Sequence, residues 1–289
     1  MDLLVDIGNS TCKFAISKND TILFGGKSNS PAELIDLIAG YAEQVAAEQV
    51  AVEQVASEQV AVEQVASKQA SAEQEPVPSS SKFENVVLCT VRNVDNDFLE
   101  KLAHFGSKFI QVNGDFMQKC IASGEPYPKI FNTLRHDFGA DRIAAVVGAL
   151  SLYPNSKLLV IDMGTAVTYD LIDGDRYIGG AISMGLNTRY RALGLLTDKI
   201  PTFSPFDRLS KQNVGQIPAV GNDTSDHLAA GNIVGLKFEL QGFIDRFKEY
   251  RTIMTGGDAK FFIEALGRPV EYIPDLTFRG LVAILCQTY

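Results

Sequence analysis

The stretch LVIDMGTAVTYD at residues 159–170 has a near copy in LLVDIGNSTCKF at residues 3–14. In each copy an apolar run ends in Asp-x-Gly-Asn/Thr, and an alternating stretch follows, which is typical of a strand, a tight turn and a returning strand. Two copies about half a chain apart indicate an internal duplication. The sequence therefore predicts an α/β fold of two similar domains, each a mixed β-sheet flanked by helices in βββαβα order, with a cleft between them.

Working outward from the two copies, the hydrophobic pattern predicts the remaining elements. We expect an N-terminal domain at residues 1–135 and a C-terminal domain at residues 136–289. The segment RTIMTGG at 251–257 reads as a strand followed by a glycine turn. Further strands are expected at 84–91, 109–112, 176–183 and 272–275. Helices are expected from residue 31, at 97–104, 139–153, 184–196 and 226–249, after residue 257 to about 266, and at 277–286.

Composition excludes several classes of function. The 289 residues are 46% hydrophobic and carry a formal charge of −9, which argues against general binding to nucleic acid or to an anionic membrane. No apolar run approaches the ~18 residues of a membrane span, and the first residues lack the basic region of a signal peptide. The four cysteines are far apart, which is typical of free thiols in a reducing compartment. We therefore expect a cytoplasmic protein. The cysteines are Cys12, Cys89, Cys120 and Cys286.

A five-residue repeat of the AEQVA type occupies residues 42–74, and the loop-like EPVPSSS follows it. A step of five residues turns a helix by about 140° beyond a full turn, so the valines would scatter around it. In a strand, the same step would change face each time. We interpret the segment at 42–80 as a low-complexity insertion, with a partner-binding helix as the alternative.

The duplicated turn has the chemistry of a phosphate site. Asp6 and Asp162 end buried strands, where a carboxylate needs a cation or several donors. The glycines at 8 and 164 let the backbone approach a ligand, and the residues beside them supply hydroxyl, amide and N–H donors. A carboxylate with Mg²⁺ together with such donors suits phosphoryl transfer. The alternative is an ordinary β-turn, since Asp, Asn and Gly all favour turns.

The tetrapeptide GADR at 139–142 begins a predicted helix, where backbone N–H groups favour anions. Asp141 is a candidate base and Arg142 a candidate anion clamp. The alternative is that Asp141 only stabilises the helix dipole. The three histidines have no Ser or Cys nucleophile motif nearby, so a hydrolase triad is not indicated.

Taken together, the motifs resemble those of the type III pantothenate kinases, in the superfamily of acetate kinase, sugar kinases, heat-shock chaperones and actin. The resemblance covers the chain except for about residues 42–80. It implies two ribonuclease H-like (actin-like ATPase) domains. The motifs, in order, are D-I-G-N-S at 6–10, G-A-D-R at 139–142, D-M-G-T-A-V-T at 162–168, G-G-A-I-S-M-G at 179–185 and N-D-T at 222–224.

The resemblance further implies an ATP-dependent kinase that phosphorylates pantothenate in the first step of coenzyme A synthesis. It implies Mg²⁺ with ATP, a monovalent cation (K⁺ or NH₄⁺) and a homodimer. It makes Asp141 the proton acceptor, Asp162 the ligand of the monovalent cation and Thr165 a contact of ATP. The implied ATP-phosphate loop is Asp6, Ile7, Gly8, Asn9, Ser10, Thr11, Cys12 and Lys13. The implied pantothenate contacts are Gly139, Ala140, Asp141, Arg142, Asn132 and Thr224.

Two departures from the family pattern lie on the pantothenate side. The tyrosine usual seven residues before the glycine of GADR is replaced by Asn132, next to Phe131. The Ala-Ile usual after Thr224 is replaced by Asp226 and its neighbours. The alternatives are therefore a kinase for another small hydroxylated metabolite, or a non-catalytic accessory relative. The three carboxylates at positions 6, 141 and 162 argue against the non-catalytic relative, because such groups are costly to bury.

Overall fold

The computed structural model describes residues 1–44, 83–124 and 126–288. They form two compact units. The first unit comprises Met1–Ile7, Arg92–Ile110 and the described part of Thr11–Leu88; the second comprises Gly8–Ser10, Cys89–Val91 and the chain from Gln111 onward. The domain boundary expected from the sequence, between residues 135 and 136, remains a prediction.

The first sheet has five strands in the order β3-β2-β1-β4-β5. Strands β1, β2 and β3 are antiparallel neighbours. Their apolar residues pack with those of helices α1 and α2 into one core, which includes Leu3, Phe14, Ile38 and Leu102. The elements are β1 (Asp2–Ile7), β2 (Cys12–Lys18), β3 (Thr21–Ser28), α1 (31–44), β4 (Phe83–Thr90), α2 (Asn96–Ala103) and β5 (Gly106–Val112).

The second sheet repeats this arrangement, in the order β10-β9-β6-β7-β8. Strands β6, β7 and β8, which come first along the chain, are antiparallel neighbours. Strand β9 runs parallel to β6, and β10 runs parallel to β9. Each sheet has a register shift late in its second strand, between Ile16 and Ser17 in one and between Leu171 and Ile172 in the other. The predicted duplicated α/β fold is confirmed. The strands are β6 (Lys157–Met163), β7 (Ala166–Asp173), β8 (Arg176–Met184), β9 (Arg251–Thr255) and β10 (Glu271–Tyr272).

Helices pack around the second sheet and complete its core. The helices at Ala140–Leu152 and Leu276–Thr288 cross at very short distance. A side-chain carbon added at Gly280 would lie only 1.8 Å from the Ala144 carbonyl oxygen. This contact fixes the helix that GADR begins. The helices are α3 (Gly114–Ser123), α4 (Ala140–Leu152), α5 (Leu186–Leu196), α6 (Pro205–Leu209), α7 (Thr224–Leu228), α8 (Gly235–Arg246), α9 (Ile263–Leu266) and α10 (Leu276–Thr288).

Some predicted elements differ from the structure. The helix expected at 226–249 runs without a break from Thr224 to Arg246, and its middle segment, Ala229–Val234, is π-helical. Strand β3 and helix α3 were not among the expected elements. Most of the repeat at 42–80 lies outside the described residues, and 42–44 belong to α1. No helix in the described part of the chain has the length and hydropathy needed to cross a membrane.

Candidate active site

Two glycine-containing turns lie at the same edge of the second sheet. Strands β6 and β9 are adjacent and parallel, and Asp162 in β6 pairs with Thr255 at the end of β9. The turns that follow are D-M-G-T at 162–165 and T-G-G-D at 255–258. Ligands of open α/β sheets bind beyond the carboxyl ends of parallel strands. This edge is therefore the expected position of a ligand.

The second of these turns closes on Asp162. Gly256 has a φ of +91°, and a side-chain carbon there would lie 2.5 Å from Asp162 Oδ1 and 2.4 Å from the Met163 carbonyl oxygen. Only glycine tolerates both the conformation and the contact. The Asp258 N–H donates to the same carbonyl at 3.1 Å. Burial raises the pKa of the Asp258 carboxyl to about 6, against the opposing charge of Lys260.

The D-M-G-T turn is held by α5 and contacts its duplicate. The Thr165 carbonyl oxygen accepts from the Gly185 N–H at 3.0 Å and from the Thr188 hydroxyl at 2.6 Å. The Thr165 hydroxyl oxygen lies 2.7 Å from the hydroxyl oxygen of Ser10, and both side chains are exposed. Ser10 belongs, with the two residues before it, to the second compact unit. The two copies of the motif therefore bring two accessible hydroxyls together, which suits the binding of phosphate oxygens.

The rest of the expected phosphate loop lies in the β1–β2 hairpin. Asp6 pairs directly across with Lys13, and Ile7 with Cys12. The side chains of Ile7 and Cys12 are buried. Burial raises the pKa of the Cys12 thiol, which keeps it protonated and unreactive. The residues between the strand ends, including exposed Asn9 next to Gly8 and half-buried Thr11, are the part of this loop that is accessible to a ligand.

GADR begins helix α4, as the sequence predicts. Gly139 is the residue before the first helical residue, Ala140, and Asp141 lies in the first turn. Asp141 Oδ1 accepts from the Arg142 N–H at 2.7 Å. Burial raises the pKa of the Asp141 carboxyl, and that N–H together with the Arg142 charge opposes the rise. A raised pKa makes the carboxylate a better proton acceptor than an exposed aspartate. The bond to a helix N–H also fits the capping interpretation.

Arg142 forms a buried ion pair that the sequence did not predict. Its Nη2 lies 2.5 Å from Asp170 Oδ1, and its Nε lies 3.2 Å from both oxygens of that carboxylate. The Asp170 side chain is 1% exposed and that of Arg142 14%. The Tyr177 hydroxyl accepts from Arg142 Nη2 and donates to Asp170 Oδ1, both at 2.9 Å. The guanidinium also lies 4.4 Å from the centre of the Phe138 ring. One edge of the guanidinium is therefore already engaged within the protein.

The other two expected substrate contacts lie apart in the chain. Asn132 is exposed in a 3₁₀ turn at Lys129–Thr133, and its Oδ1 accepts from the Tyr127 hydroxyl at 3.0 Å. The same turn is tied to β8, because the Thr133 hydroxyl accepts from the Tyr177 N–H at 2.9 Å. Thr224 is exposed at the start of α7. Within the described residues, no hydrogen bond connects it to the Arg142 or Thr165 groups.

The sequence did not predict four residues of the candidate site: Asp170, Tyr177, Thr188 and Asp258. Only Asp170 could have been found from its sequence context, since it is a carboxylate within the largely apolar strand β7 and a buried carboxylate there needs a cation. The described residues contain no group of three or more His, Cys, Asp or Glu side chains that could hold a metal ion.

Comparison with known proteins gives consistent results. Residues 2–246 match the sequence pattern of the family described as type III pantothenate kinase. A type III pantothenate kinase of Porphyromonas gingivalis is 32% identical over 289 residues, which cover 98% of this chain and 97% of that protein. One from Phocaeicola vulgatus is 40% identical over 152 residues, which cover 51% of this chain and 60% of that protein.

Among solved structures, a Campylobacter jejuni protein described as a Baf family transcriptional activator superposes with a TM-score of 0.54. It is 19% identical, and the alignment covers 98% of this chain and 97% of that one. At this identity the similarity bears on the fold alone.

Proposed function

The chain belongs to the type III pantothenate kinase family, and we propose that it transfers the terminal phosphoryl group of ATP to the primary hydroxyl of pantothenate, the first step of coenzyme A synthesis. The observation that carries the proposal is Asp141. A partly buried carboxyl with a raised pKa, at the N-terminal turn of α4, is suited to accept a proton from a hydroxyl.

Asp141 accepts the proton of the attacking hydroxyl as the new P–O bond forms. The transition state of phosphoryl transfer is loose, so most of the rate enhancement comes from positioning and from neutralising charge on the phosphoryl oxygens. The base is expected to contribute roughly 10²–10⁴-fold. Gly139, Ala140, Arg142, Asn132 and Thr224 are proposed to bind pantothenate around this base.

The accessible donors of the two D-x-G turns bind the ATP phosphates. Thr165 and Ser10 offer hydroxyls whose oxygens lie 2.7 Å apart. Charge-assisted hydrogen bonds of this kind are the strong ones, which suits a ligand that must be both held and polarised. We assign the whole stretch from Asp6 to Lys13 to this role.

Mg²⁺ is implied by the reaction, and the donor set fits it. Mg²⁺ in kinases takes one or two carboxylates, waters and substrate phosphates rather than an all-protein cage. Asp6, half-buried near the end of β1, offers one such carboxylate. When bound, the ion would neutralise charge on the phosphates, and Asp6 is the carboxylate we assign to it. We assign the monovalent cation, K⁺ or NH₄⁺, to Asp162.

We also propose a cytoplasmic homodimer. Strand β8 is an edge strand whose outward side chains Ile178, Ile182 and Met184 are 51%, 66% and 51% exposed. A row of apolar side chains on an unpaired edge favours association with another chain. The four cysteines are all free thiols, as is usual in a reducing compartment. Light scattering after size-exclusion chromatography tests the dimer directly.

The first experiment measures ADP release from ATP and Mg²⁺, with and without pantothenate, in K⁺ and then in Na⁺ buffer. Mass spectrometry of the product identifies the phosphorylated compound. We expect turnover that requires both pantothenate and K⁺ or NH₄⁺. Asp162→Asn is expected to remove the response to K⁺, whereas Asp173→Asn, at the far end of the same hairpin, is expected to retain it.

Each alternative gives a distinct result. Turnover that needs another hydroxylated metabolite would assign the kinase a different substrate. The turn around Asn132 and the start of α7 would then be the first candidates for the residues that determine substrate specificity. ATP binding without turnover on any acceptor would favour a non-catalytic accessory role. Turnover with pantothenate that is equal in Na⁺ and K⁺ would remove the cation assignment of Asp162 while leaving the kinase proposal in place.

A further inference from the structure

Asp170 is not among the residues assigned to a ligand above, yet its carboxylate is the most buried charge around GADR. It lies in the middle of β7 and is 1% exposed. A buried ion pair adds little net stability, because the desolvation of both ions offsets their attraction. The Asp170–Arg142 pair is therefore poorly explained as a stabilising device.

The pair has one defined geometry. Arg142 presents its Nε–Nη2 edge to the carboxylate, and its guanidinium carbon lies over the Phe138 ring, 4.4 Å from the ring centre. The Tyr177 hydroxyl bonds to both partners, and Tyr177 is itself fixed through its N–H to Thr133. Asp141 precedes Arg142 in the first turn of α4. The contacts that fix the Arg142 side chain therefore also restrain the start of this helix.

We propose that Asp170 is a positioning residue for the phosphoryl transfer described above, on which this inference rests: it engages the Arg142 guanidinium and so prevents that cation from neutralising the neighbouring Asp141 carboxylate. Asp141 then remains available as the proton acceptor. The guanidinium of the residue next to the proposed base is thus directed to a second carboxylate rather than to the base itself.

The charges around Asp141 agree with this assignment. Burial is the main cause that raises the pKa of Asp141; the Arg142 charge lowers it and the Asp170 charge raises it. Arg142 reaches the site from α4 and Asp170 from β7; Tyr177, on β8, bonds to both. Removal of the Asp170 charge leaves an uncompensated guanidinium beside Asp141. An opposite charge at close range favours the ionised carboxylate and weakens it as a base.

The test compares three variants of the full chain by kcat as a function of pH between about 5 and 9. Asp170→Asn removes the charge, Asp170→Glu keeps it, and the double variant Asp170→Asn with Arg142→Gln removes both charges. For Asp170→Asn we expect kcat to fall about tenfold or more, and the acid limb of the profile to move down by at least about half a pH unit. Asp170→Glu and the double variant are expected to keep the acid limb near its wild-type position, with reduced kcat.

The outcomes separate this proposal from a structural role and from the proposed function. A uniform loss of kcat in Asp170→Asn, with the acid limb unmoved, would overturn the positioning role. If Asp170→Asn does not fold, the single variant Arg142→Gln takes its place, because it removes the cation that lowers the Asp141 pKa. An acid limb that moves to higher pH in Arg142→Gln would support the proposal, and an unmoved acid limb would overturn it. A wild-type chain without pantothenate-dependent turnover would refute the proposed function, whatever the variants do.

Discussion

The hydroxyl oxygens of Ser10 and Thr165 lie 2.7 Å apart, although 155 positions separate the two residues in the sequence. Each hydroxyl belongs to one copy of the duplicated D-x-G turn. The contact brings one exposed hydroxyl from each copy together within the second compact unit. Each hydroxyl satisfies the other until a ligand with stronger acceptors competes for them.

Thr165→Val keeps the shape of the side chain and removes its hydroxyl. If that hydroxyl binds an ATP phosphate, kcat/KM for ATP should fall about tenfold or more, since hydrogen bonds to charged groups contribute about 1.5–3 kcal/mol. Steady-state kinetics with ATP and pantothenate varied in turn measures this. Thr165→Ser retains a hydroxyl and is the matched control, expected to stay close to wild type. Equal loss of kcat/KM for both substrates in Thr165→Val would contradict a direct contact with ATP.

Asp141→Asn should lower kcat by about 10²–10⁴-fold, because it removes the proposed proton acceptor without removing the bulk of the side chain. Rapid-quench or steady-state assays at saturating substrates measure the loss. Asp137, four residues earlier, is exposed and paired with Arg135. Asp137→Asn is therefore the matched control and should leave kcat nearly unchanged. A loss below tenfold in folded Asp141→Asn would remove this residue from the role.

The same substitution should not destabilise the protein at neutral pH. Burial raises the pKa of the Asp141 carboxyl, so the folded chain binds its proton more tightly than the unfolded chain does. Stability therefore decreases as the pH rises from the unfolded pKa through the folded one, and the loss is complete above it. A neutral Asn avoids that loss. We expect Tm at pH 7 to equal or exceed that of the wild type, and a large drop in Tm would instead indicate that Asp141 mainly caps α4.

Much of the fold could be predicted because its signals are local. Apolar runs, alternation and glycine turns identified both D-x-G hairpins, the strand before T-G-G and the helix after GADR, since each depends on residues adjacent in sequence. The π-helical segment within the helix expected at 226–249 was not predictable in this way, because it keeps nearly the same local sequence pattern as an α-helix.

The site was predicted less completely than the fold. Asp141, Asp162 and Thr165 stand in motifs, so the sequence marks them. The partner of Arg142 is Asp170, 28 positions away on another element, and no local pattern selects it from the other carboxylates. Asp258 was missed for a related reason. Its significance comes from burial and from the contact of its N–H with the Met163 carbonyl, and both depend on the tertiary structure.

Asp258 predicts a specific dependence of stability on pH. Its folded pKa is about 6, raised by burial, so the folded chain binds more protons than the unfolded chain between about pH 4 and 6. Stability contributed by this group is lost as pH rises through that window. Asp258→Asn should therefore match the wild type near pH 4 and exceed it above pH 6, by on the order of 1 kcal/mol after solvent screening. Urea unfolding at several pH values measures the difference.

A control of opposite sign is available in Asp245. Its pKa is lowered by the hydrogen bond and charge of Arg268, so this group contributes stability above its unfolded pKa and loses it as the pH falls. Asp245→Asn should be slightly less stable than the wild type at neutral pH and indistinguishable from it in acid. Parallel curves for the two variants would contradict the assignment of a raised pKa to Asp258.

Two helix glycines should respond to alanine in opposite directions. A side-chain carbon at Gly280 in α10 would lie 1.8 Å from the Ala144 carbonyl oxygen in α4, so Gly280→Ala must push the two helices apart. Overpacking of this kind costs about 1–3 kcal/mol. Gly242 in α8 has no atom within 4 Å of the same position and is exposed, so Gly242→Ala should stabilise the protein by about 0.5–1 kcal/mol through helix propensity.

Since α4 begins with GADR, the Gly280 substitution should also change the geometry of the proposed active site. We expect Gly280→Ala to lower kcat together with Tm, and Gly242→Ala to raise Tm with kcat unchanged. Thermal unfolding and the ADP-release assay on the same preparations measure both effects. Full kcat in a destabilised Gly280→Ala protein would mean that the crossing of α4 and α10 supports the fold without positioning Asp141.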